Sequence, residues 1–266
     1  MKVLVTGAKG MLGQDLCPIF EDEGFEVLET DINNLDITNY EQVKEVLTRE
    51  NPDYVIHLAA YTNVDKAEED IETAKKINVL GTENIAKVVS QIDAVMVYIS
   101  TDYVFDGEKT EPYLPTDKTN PQSAYGLTKC LGEEAVQKHC SKYYITRTSW
   151  LYGIHGKNFV ETMLSLKGDI KVVDDQVGCP TWTVDLSNAI LKIIKDKMEY
   201  GIYHTCGGGF TSWYGFAKEI GVDCKPCTTE EFPRPAKRPK YSVMENKGLL
   251  RDWKLALKDY MRLREV

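Results

Sequence analysis

The chain has 266 residues, 42% of them hydrophobic, and a formal net charge of −9. This length predicts one large α/β domain, or a nucleotide-binding domain with a smaller lobe, and it suffices to bury a core without disulfides or metal. The acidic balance argues against binding to nucleic acid or to an anionic membrane. No apolar run approaches the roughly 20 residues that cross a bilayer, and Gly7 interrupts the apolar start of the chain, so we expect a cytoplasmic protein.

Strand and helix patterns alternate through the first half of the chain. Short apolar runs predict strands at residues 2–6, 24–30, 52–58, 94–100 and 143–147. Periodic segments predict helices from the glycine-rich turn to about residue 20, and at 39–50, 71–90 and 124–139. Such alternation is typical of βαβ units, and the continuous apolar character of the strands fits burial on both faces. We therefore predict an α/β fold with a Rossmann-like, doubly wound parallel sheet.

After about residue 150 the alternation of predicted strands and helices is less regular. Helices are predicted at 158–166, 185–197, 212–220 and 247–253, and strands at 170–173 and 201–205. We expect residues 1–150 to form a nucleotide-binding domain to which residues 177–205 return. Residues 151–176 and 206–266 are then expected to form a smaller C-terminal substrate-binding lobe.

Seven cysteines are scattered along the sequence. An odd number in a chain expected in the cytoplasm indicates free thiols. Cys224 and Cys227 have the C-x-x-C spacing of zinc and redox sites, but a structural zinc site needs four ligands. The nearby His204 and Cys206 are not arranged as a second pair, so we predict no metal site.

Three glycines follow the first predicted strand with the spacing G-x-x-G-x-x-G, at Gly7, Gly10 and Gly13. A strand that turns tightly into a helix brings its backbone close to a pyrophosphate, which the free N–H groups and the helix dipole bind. Glycine meets the steric demands of that turn. We therefore predict a dinucleotide-binding turn with five contacting residues: Gly7, Lys9, Gly10, Met11 and Leu12.

Two charged residues near this turn point to different cofactors. Asp31, at the end of the second predicted strand, can bind an adenosine ribose and would repel a 2′-phosphate. Lys9 would instead attract that phosphate. The choice between NADH and NADPH therefore stays open. Asp36 and Ile37, in the loop that follows, are expected to border the adenine.

Tyr125 and Lys129 are four residues apart on a predicted helix, so both side chains can face one pocket. Reduction of a ketone creates alkoxide character, which a nearby acid must protonate. The pKa of a free tyrosine is about 10, and a close ammonium group lowers it by favouring the phenolate. Thr101 lies at the carboxyl end of the preceding strand, where ligands of such sheets bind. The three residues predict a carbonyl-reducing site in which Thr101 hydrogen-bonds the carbonyl oxygen.

The ordered set of motifs resembles the extended short-chain dehydrogenases/reductases and, within them, the dTDP-4-dehydrorhamnose reductases. The matching segments are GAKGMLG (7–13), LAAYTNVDKAE (58–68), STDYVF (100–105), YGLTKCLGE (125–133), RTSWLYG (147–153), NF (158–159), DQVGCPT (175–181) and TSWYGFA (211–217). The glycine turn and Y-x-x-x-K mark the broad superfamily, whereas the other segments are more specific. The match runs from residue 1 to about 217 and is weaker beyond that point.

The resemblance implies NAD(P)H-dependent reduction of the 4-keto group of a nucleotide-linked 6-deoxysugar, most closely dTDP-4-dehydro-L-rhamnose to dTDP-L-rhamnose. It implies a catalytic set of Thr101, Tyr125 and Lys129. It places three further residues against the cofactor, Ala59, Ala60 and Tyr61, and we expect Tyr125 and Lys129 to contact the cofactor as well, with Lys129 at the nicotinamide ribose. It places five at or near the sugar nucleotide: Val64, Asp102, Tyr103, Trp150 and Asn158.

Some of these residues have purely structural interpretations as well. Trp150 also fits a core aromatic, and Asn158 also fits a helix N-cap. His57, at the end of a strand, is interpreted as a packed polar residue rather than a base. The basic stretch at 234–240 either holds the substrate diphosphate through charge-assisted contacts or is a solvated loop.

Two other functions use the same fold. A non-catalytic regulatory subunit would bind the dinucleotide but would not need a proton donor, so the presence of Thr101, Tyr125 and Lys129 counts against it. A sugar-nucleotide epimerase or dehydratase would hold NAD tightly through one turnover, whereas a reductase exchanges its cofactor. The sequence leaves the oligomeric state open, with a homodimer as one expectation.

Overall fold

The structure, a computed structural model, describes residues 1–264. Its first half comprises β1 (Lys2–Thr6), α1 (Met11–Asp22), β2 (Glu26–Thr30), α2 (Tyr40–Glu50), β3 (Tyr54–His57), α3 (Val64–Glu69), α4 (Ile71–Lys75), a π-helical segment (Lys76–Gly81), α5 (Thr82–Gln91), β4 (Val95–Thr101), a 3-10 turn (Asp102–Val104), α6 (Ala124–His139) and β5 (Tyr143–Thr148). The second half comprises β6 (Leu151–Tyr152), α7 (Phe159–Ser165), β7 (Lys171–Val173), β8 (Val177–Gly178), β9 (Thr181–Trp182), α8 (Thr183–Lys195), β10 (Gly201–His204), β11 (Thr211–Ser212), α9 (Trp213–Ile220), β12 (Lys225–Cys227) and α10 (Trp253–Leu263).

Six strands form one parallel sheet in the order β10-β5-β4-β3-β1-β2. Alternate residues of each strand face opposite layers, so that Val3 packs in a core with α1 and α8 whereas Leu4 packs in a core with α2, α5 and α6. Both layers are apolar because helices cover both faces of the sheet. The predicted doubly wound parallel sheet is confirmed.

The C-terminal half contributes to two regions. Strand β10 pairs with β5 at the edge of the main sheet, and α8 packs on α1. Helices α7, α9 and α10 build a separate core around Phe216, Trp253 and Tyr260. This arrangement agrees with a cofactor domain and a smaller lobe, although the domain boundaries stay a prediction. Residues 265–266 of the predicted lobe lie outside the described residues.

The predicted C-terminal helix at 247–253 is wrong. Helix α10 instead begins at Trp253, because the Asp252 side chain accepts a hydrogen bond from the Lys254 N–H at 2.9 Å and caps the first turn. The buried residues that define its inner face are Trp253, Ala256, Leu257 and Tyr260. The helix predicted at 71–90 is also divided, since a π-helical segment separates α4 from α5.

Among residues 1–264, no helix has both the length and the apolar character needed to cross a bilayer. The seven cysteines are all buried and free of disulfides. Cys224 and Cys227 lie at opposite ends of a short segment that leads into and through β12. Burial raises the pKa of both thiols, so neither has the thiolate character of a reactive cysteine.

Candidate active site

A cavity of about 710 Å³ lies at the carboxyl ends of the central strands, between the turn that follows β1 and the start of α6. Its volume is typical of small-molecule sites, and its position is where doubly wound sheets bind ligands. Most of the predicted site residues line it: Gly7, Gly10, Met11, Leu12, Asp31, Asp36, Ile37, Ala59, Ala60, Val64, Thr101, Asp102, Tyr103, Tyr125, Lys129 and Trp150. Residues far apart in the sequence are therefore brought to one site.

Three predicted site residues lie beside the cavity rather than in its lining. Lys9 is exposed on the glycine turn. Tyr61 is held through its backbone, whose N–H and carbonyl groups bind the side chain of Asn78 at 2.7 and 3.1 Å. Asn158 caps α7 by accepting from the Glu161 N–H at 3.1 Å, which is the structural role that the sequence left open.

The glycine turn has no room for a side chain at Gly7 or Gly13. Gly7 has a φ of 68°, and a Cβ there would come within 2.8 Å of the Ala59 backbone. A Cβ on Gly13 would overlap the Ala8 backbone. Gly10 precedes α1 without any side-chain cap, so the N–H groups of the first helical turn are free for an anion. The turn fits the pyrophosphate of a dinucleotide.

Asp31 lies beside this turn with a fixed carboxylate. Its Oδ1 accepts from the Ile32 N–H at 2.7 Å, and its Oδ2 accepts from the Lys9 N–H at 3.3 Å. A carboxylate held at the end of β2 can accept hydrogen bonds from ribose hydroxyls. Its negative charge also acts against a phosphate at the same position.

Thr101 and Asp102 form a hydrogen-bonded pair at the end of β4. The Thr101 hydroxyl donates to Asp102 Oδ1 at 2.9 Å and accepts from the Tyr103 N–H at 3.2 Å. Asp102 is 1% exposed, and its second oxygen has no hydrogen-bond partner within residues 1–264. Burial therefore raises the pKa of Asp102 to about 6.

Tyr125 and Lys129 lie on the same face of α6 and both line the cavity. Burial, followed by the charge of Asp102, raises the pKa of Tyr125, whereas a hydrogen bond with Thr101 acts in the other direction. Burial lowers the pKa of Lys129 to about 7, against the charge of Glu133. The expectation that the pKa of Tyr125 is lowered is not met in the protein alone, because burial and the charge of Asp102 raise it and only the hydrogen bond with Thr101 opposes them.

A buried ion pair, which the sequence analysis did not identify, lies one helical turn beyond Lys129. Glu133 accepts from Arg147 Nε at 2.9 Å and from Arg147 Nη2 at 2.7 Å. The Ser100 hydroxyl donates to the same carboxylate. The pair links α6 to β4 and β5 at the edge where the cavity lies. The sequence signals for it are an arginine near the end of an otherwise uncharged strand and the presence of both residues in the matching segments YGLTKCLGE (125–133) and RTSWLYG (147–153).

Trp150 has an unusual backbone conformation for a bulky residue, with a φ of 47°. Its ring lines the cavity and also stacks on Trp213. Left-handed conformations of large residues persist only where the surrounding structure holds them, often at functional sites. The two interpretations of Trp150 are therefore compatible, because it both packs and lines the cavity.

His57 is a packed polar residue, as interpreted from the sequence. Its ring nitrogens pair with Thr6 Oγ1 at 2.7 Å and Thr82 Oγ1 at 3.1 Å. Burial, with repulsion from Lys129 as the second cause, lowers its pKa to about 3. His57 is therefore neutral near pH 7 and is fully engaged by two hydroxyl groups.

The basic stretch at 234–240 contacts the rest of the protein at several points, of which the Asp65 carboxylate makes the most bonds. Arg238 binds both carboxylate oxygens of Asp65 on α3, at 2.6 and 2.9 Å. The backbone N–H of Ala236 also donates to Asp65, at 3.2 Å. This segment therefore packs against α3, next to Val64 in the cavity lining.

A glycine turn at a helix N-terminus, a threonine at the carboxyl end of a parallel strand, and a tyrosine and a lysine on one helical face of the same cavity define an NAD(P)-dependent oxidoreductase of the short-chain dehydrogenase/reductase class. The profile of the family described as "RmlD substrate binding domain" matches residues 1–264. The chain belongs to the dTDP-4-dehydrorhamnose reductase family. This match extends well past residue 217, where the motifs found in the sequence ended.

Three members of the family show how close the similarity is. The dTDP-4-dehydrorhamnose reductase of Mycolicibacterium smegmatis is 40% identical over 97% of this chain and 84% of its own length. A crystal structure of such a reductase from Clostridium acetobutylicum has a TM-score of 0.97 and 48% identity, covering 100% of both chains. The Bacillus anthracis reductase, solved in complex with NADP, has a TM-score of 0.94 and 40% identity over 98% of both chains.

Proposed function

We propose that this protein reduces the 4-keto group of dTDP-4-dehydro-L-rhamnose to give dTDP-L-rhamnose, with NADPH or NADH as reductant. The observation that supports this most directly is a single cavity that extends from the glycine turn to Thr101, Tyr125 and Lys129. The substrate is taken from the names of the relatives, one of which was solved with NADP.

The dinucleotide would be held mainly by backbone groups. Its pyrophosphate fits the glycine turn and the first turn of α1, while Asp31 is available to the adenosine ribose and Ala59 and Ala60 form the adjoining wall. Lys129 is available to the second ribose. When bound, the nicotinamide supplies the hydride that adds to C4 of the sugar.

Tyr125 is proposed to donate the proton that the C4 oxygen gains. A proton donor must begin the reaction neutral, and the raised pKa of Tyr125 ensures this near pH 7. The transfer is favourable because an alkoxide is a much stronger base than a phenolate. The Lys129 ammonium stabilises the phenolate that remains until solvent returns the proton.

Thr101 is proposed to orient the substrate carbonyl. Its hydroxyl proton is directed to Asp102 in the free protein, so it must turn from the carboxylate to the ketone oxygen when substrate binds. The raised pKa of Asp102 makes that carboxylate easier to neutralise, which weakens its hold on the Thr101 proton.

The sugar nucleotide is proposed to contact four residues of the lining: Val64, Asp102, Tyr103 and Trp150. Asn158 then contributes indirectly, by capping α7. The elements around the core of α7, α9 and α10, with residues 206–264, are proposed to form the substrate-binding lobe. The stretch at 234–240 is proposed to hold the diphosphate, since Arg238 anchors the segment to Asp65 on α3 and Arg234 lies 3.8 Å from the same carboxylate, next to Val64 of the lining.

The test is oxidation of NADH and of NADPH by the purified protein with dTDP-4-dehydro-L-rhamnose, with the product identified by mass spectrometry. Substrate-dependent oxidation that yields a species two hydrogens heavier supports the proposal. Dinucleotide binding without turnover would instead indicate a regulatory subunit. Purified protein that retains stoichiometric NAD and catalyses no net oxidation would indicate an epimerase or dehydratase.

A homodimer and a cytoplasmic location complete the proposal. A cytoplasmic location agrees with seven buried thiols without disulfides. Light scattering on the purified protein tests the homodimer, since a mass near the 30.1 kDa of one chain would contradict it.

A further inference from the structure

Tyr98 contacts Lys129 at two points. It lies in the middle of β4 and is fully buried. The Lys129 Nζ lies 4.0 Å from the centroid of its ring, and the Tyr98 hydroxyl donates to the Lys129 main-chain oxygen at 3.3 Å. One side chain therefore contacts both the charged end and the backbone of the lysine.

The Lys129 ammonium group needs such a contact because it is buried. Lys129 is 3% exposed, and an ammonium group removed from water is unstable unless its charge is compensated. Glu133 is the carboxylate whose charge acts on Lys129, but its oxygens accept from Arg147 and Ser100 instead. The negative face of an aromatic ring is a second source of compensation and is stronger in a desolvated site.

We propose that Tyr98 is a positioning residue for this reaction, whose ring face keeps the Lys129 ammonium group charged and holds it towards the cavity. The proposal rests on the role given to Lys129 above. Tyr98 acts through Lys129, and no contact between Tyr98 and the substrate is involved. Its own phenol stays neutral, since burial raises the pKa of Tyr98 well above its ordinary value.

Other ionisable groups surround the same ammonium group and must be separated from the effect of Tyr98. They are His57 on β3 and Tyr125 and Glu133 on α6, with Arg147 on β5 reaching the group only through its ion pair with Glu133. His57 stacks with the Tyr98 ring at 5.9 Å and is neutral near pH 7. Arg147 is paired with Glu133. Phenylalanine and pentafluorophenylalanine at position 98 both lack the hydroxyl group and leave His57 and Arg147 in place, so a difference between these two variants reports on the ring face.

The test compares side chains of similar shape at position 98. Phenylalanine keeps the ring face but loses the hydroxyl group, whereas pentafluorophenylalanine keeps the shape and reverses the charge of the ring face. A third variant, Tyr98→Leu, removes the ring. In each protein the pKa of Lys129 is measured by NMR titration of ¹³C-labelled lysine, with the resonance assigned from Lys129→Met. This measurement needs no substrate, so it remains valid if the proposed reaction fails.

We expect Tyr98→Phe to leave the pKa of Lys129 close to that of the unaltered protein. The fluorinated ring and Tyr98→Leu should lower it by roughly 0.5–1.5 units, which corresponds to the strength of a cation–π contact. The alkaline limb of kcat/KM should move to lower pH by the same amount, because a lysine required in its charged form is lost as pH rises through its pKa. An equal pKa with the phenylalanine and fluorinated rings would overturn the proposal, even if Tyr98→Leu fails to fold.

Discussion

The indole rings of Trp150 and Trp213 lie parallel, with centroids 3.5 Å apart and planes inclined by 5°. Trp150 belongs to the cavity lining, whereas Trp213 begins α9 in the C-terminal part of the chain. The stack therefore fixes the orientation of a cavity wall from outside it. Phe159 packs on the same Trp213 ring at 4.6 Å. The stack is therefore continuous with the core that α7, α9 and α10 form.

Removal of Trp213 should weaken substrate binding more than chemistry. In Trp213→Ala the ring of Trp150 loses its stacking partner, and the flat wall is no longer pre-organised. We expect KM for the sugar nucleotide to rise about tenfold, which corresponds to 1.4 kcal/mol, while kcat changes less. Steady-state kinetics beside Trp213→Phe, which keeps an aromatic surface, provide the check. Equal KM values for the two variants would argue against a wall held by Trp213.

Asp31 should determine how well NADPH is used. Its carboxylate is held beside the glycine turn, where it would repel the 2′-phosphate. Asp31→Ser removes that charge, so the ratio of kcat/KM for NADPH to that for NADH should rise about tenfold or more. Lys9→Gln is the matched control for the positive charge and should change the ratio in the opposite direction. An unchanged ratio in Asp31→Ser would mean that the ribose binds elsewhere.

Replacing only one partner of the Glu133–Arg147 pair should strongly destabilise the protein. Both side chains are 3% exposed, and removal of one partner leaves a buried charge unpaired. We expect Arg147→Met to lower the free energy of unfolding by about 3–5 kcal/mol, measured by urea denaturation. The double variant Glu133→Gln, Arg147→Met should recover much of that loss, since neither partner of the pair is then left charged. Lys142→Met, at a surface pair with Asp93, serves as the exposed control and should cost less than about 1 kcal/mol.

Asp102 should make the protein less stable as pH rises. Its pKa is raised to about 6, above the value of about 3.9 in an unfolded chain, so the folded state binds the proton more tightly. The free energy of unfolding therefore decreases from about pH 4 to about pH 6 and levels off above that range.

Asp102→Asn should cancel this loss. The variant should be more stable than the unaltered protein by about 3 kcal/mol at pH 8, and the difference should vanish near pH 4. Denaturation at both pH values, with the exposed Asp22→Asn as control, measures it. A gain in stability of the same size at both pH values would rule out this ionisation as its cause.

The sequence predicted the parts of the site that are set by local rules. The positions of the glycine turn, of Thr101 at a strand end and of Tyr125 and Lys129 on one helical face follow from backbone geometry and spacing. Features that depend on tertiary contact were missed. Tyr98 appeared only as one apolar position in a buried strand, and Glu133 and Arg147 become partners only when α6 packs on β5.

The misplaced C-terminal helix has a similar cause. Lys247 and Gly248 have left-handed φ values of 48° and 75°, which a helix cannot accommodate, whereas Asp252 caps the helix at the true boundary. The pKa of Tyr125 was also predicted in the wrong direction for the free protein, because burial cannot be read from spacing. In both cases the deciding quantity is a contact or a solvent exposure that only the folded chain defines.

The most direct test of the account is the turnover of Tyr125→Phe with dTDP-4-dehydro-L-rhamnose and reduced nicotinamide cofactor. Loss of the proton donor should lower kcat roughly 10²–10⁴-fold, with dinucleotide affinity close to that of the unaltered protein. Tyr200→Phe, which alters a tyrosine that is 49% exposed, should retain full activity. If Tyr125→Phe also turned over at a near-normal rate, Tyr125 would not be the proton donor and the proposed reaction at this site would be contradicted.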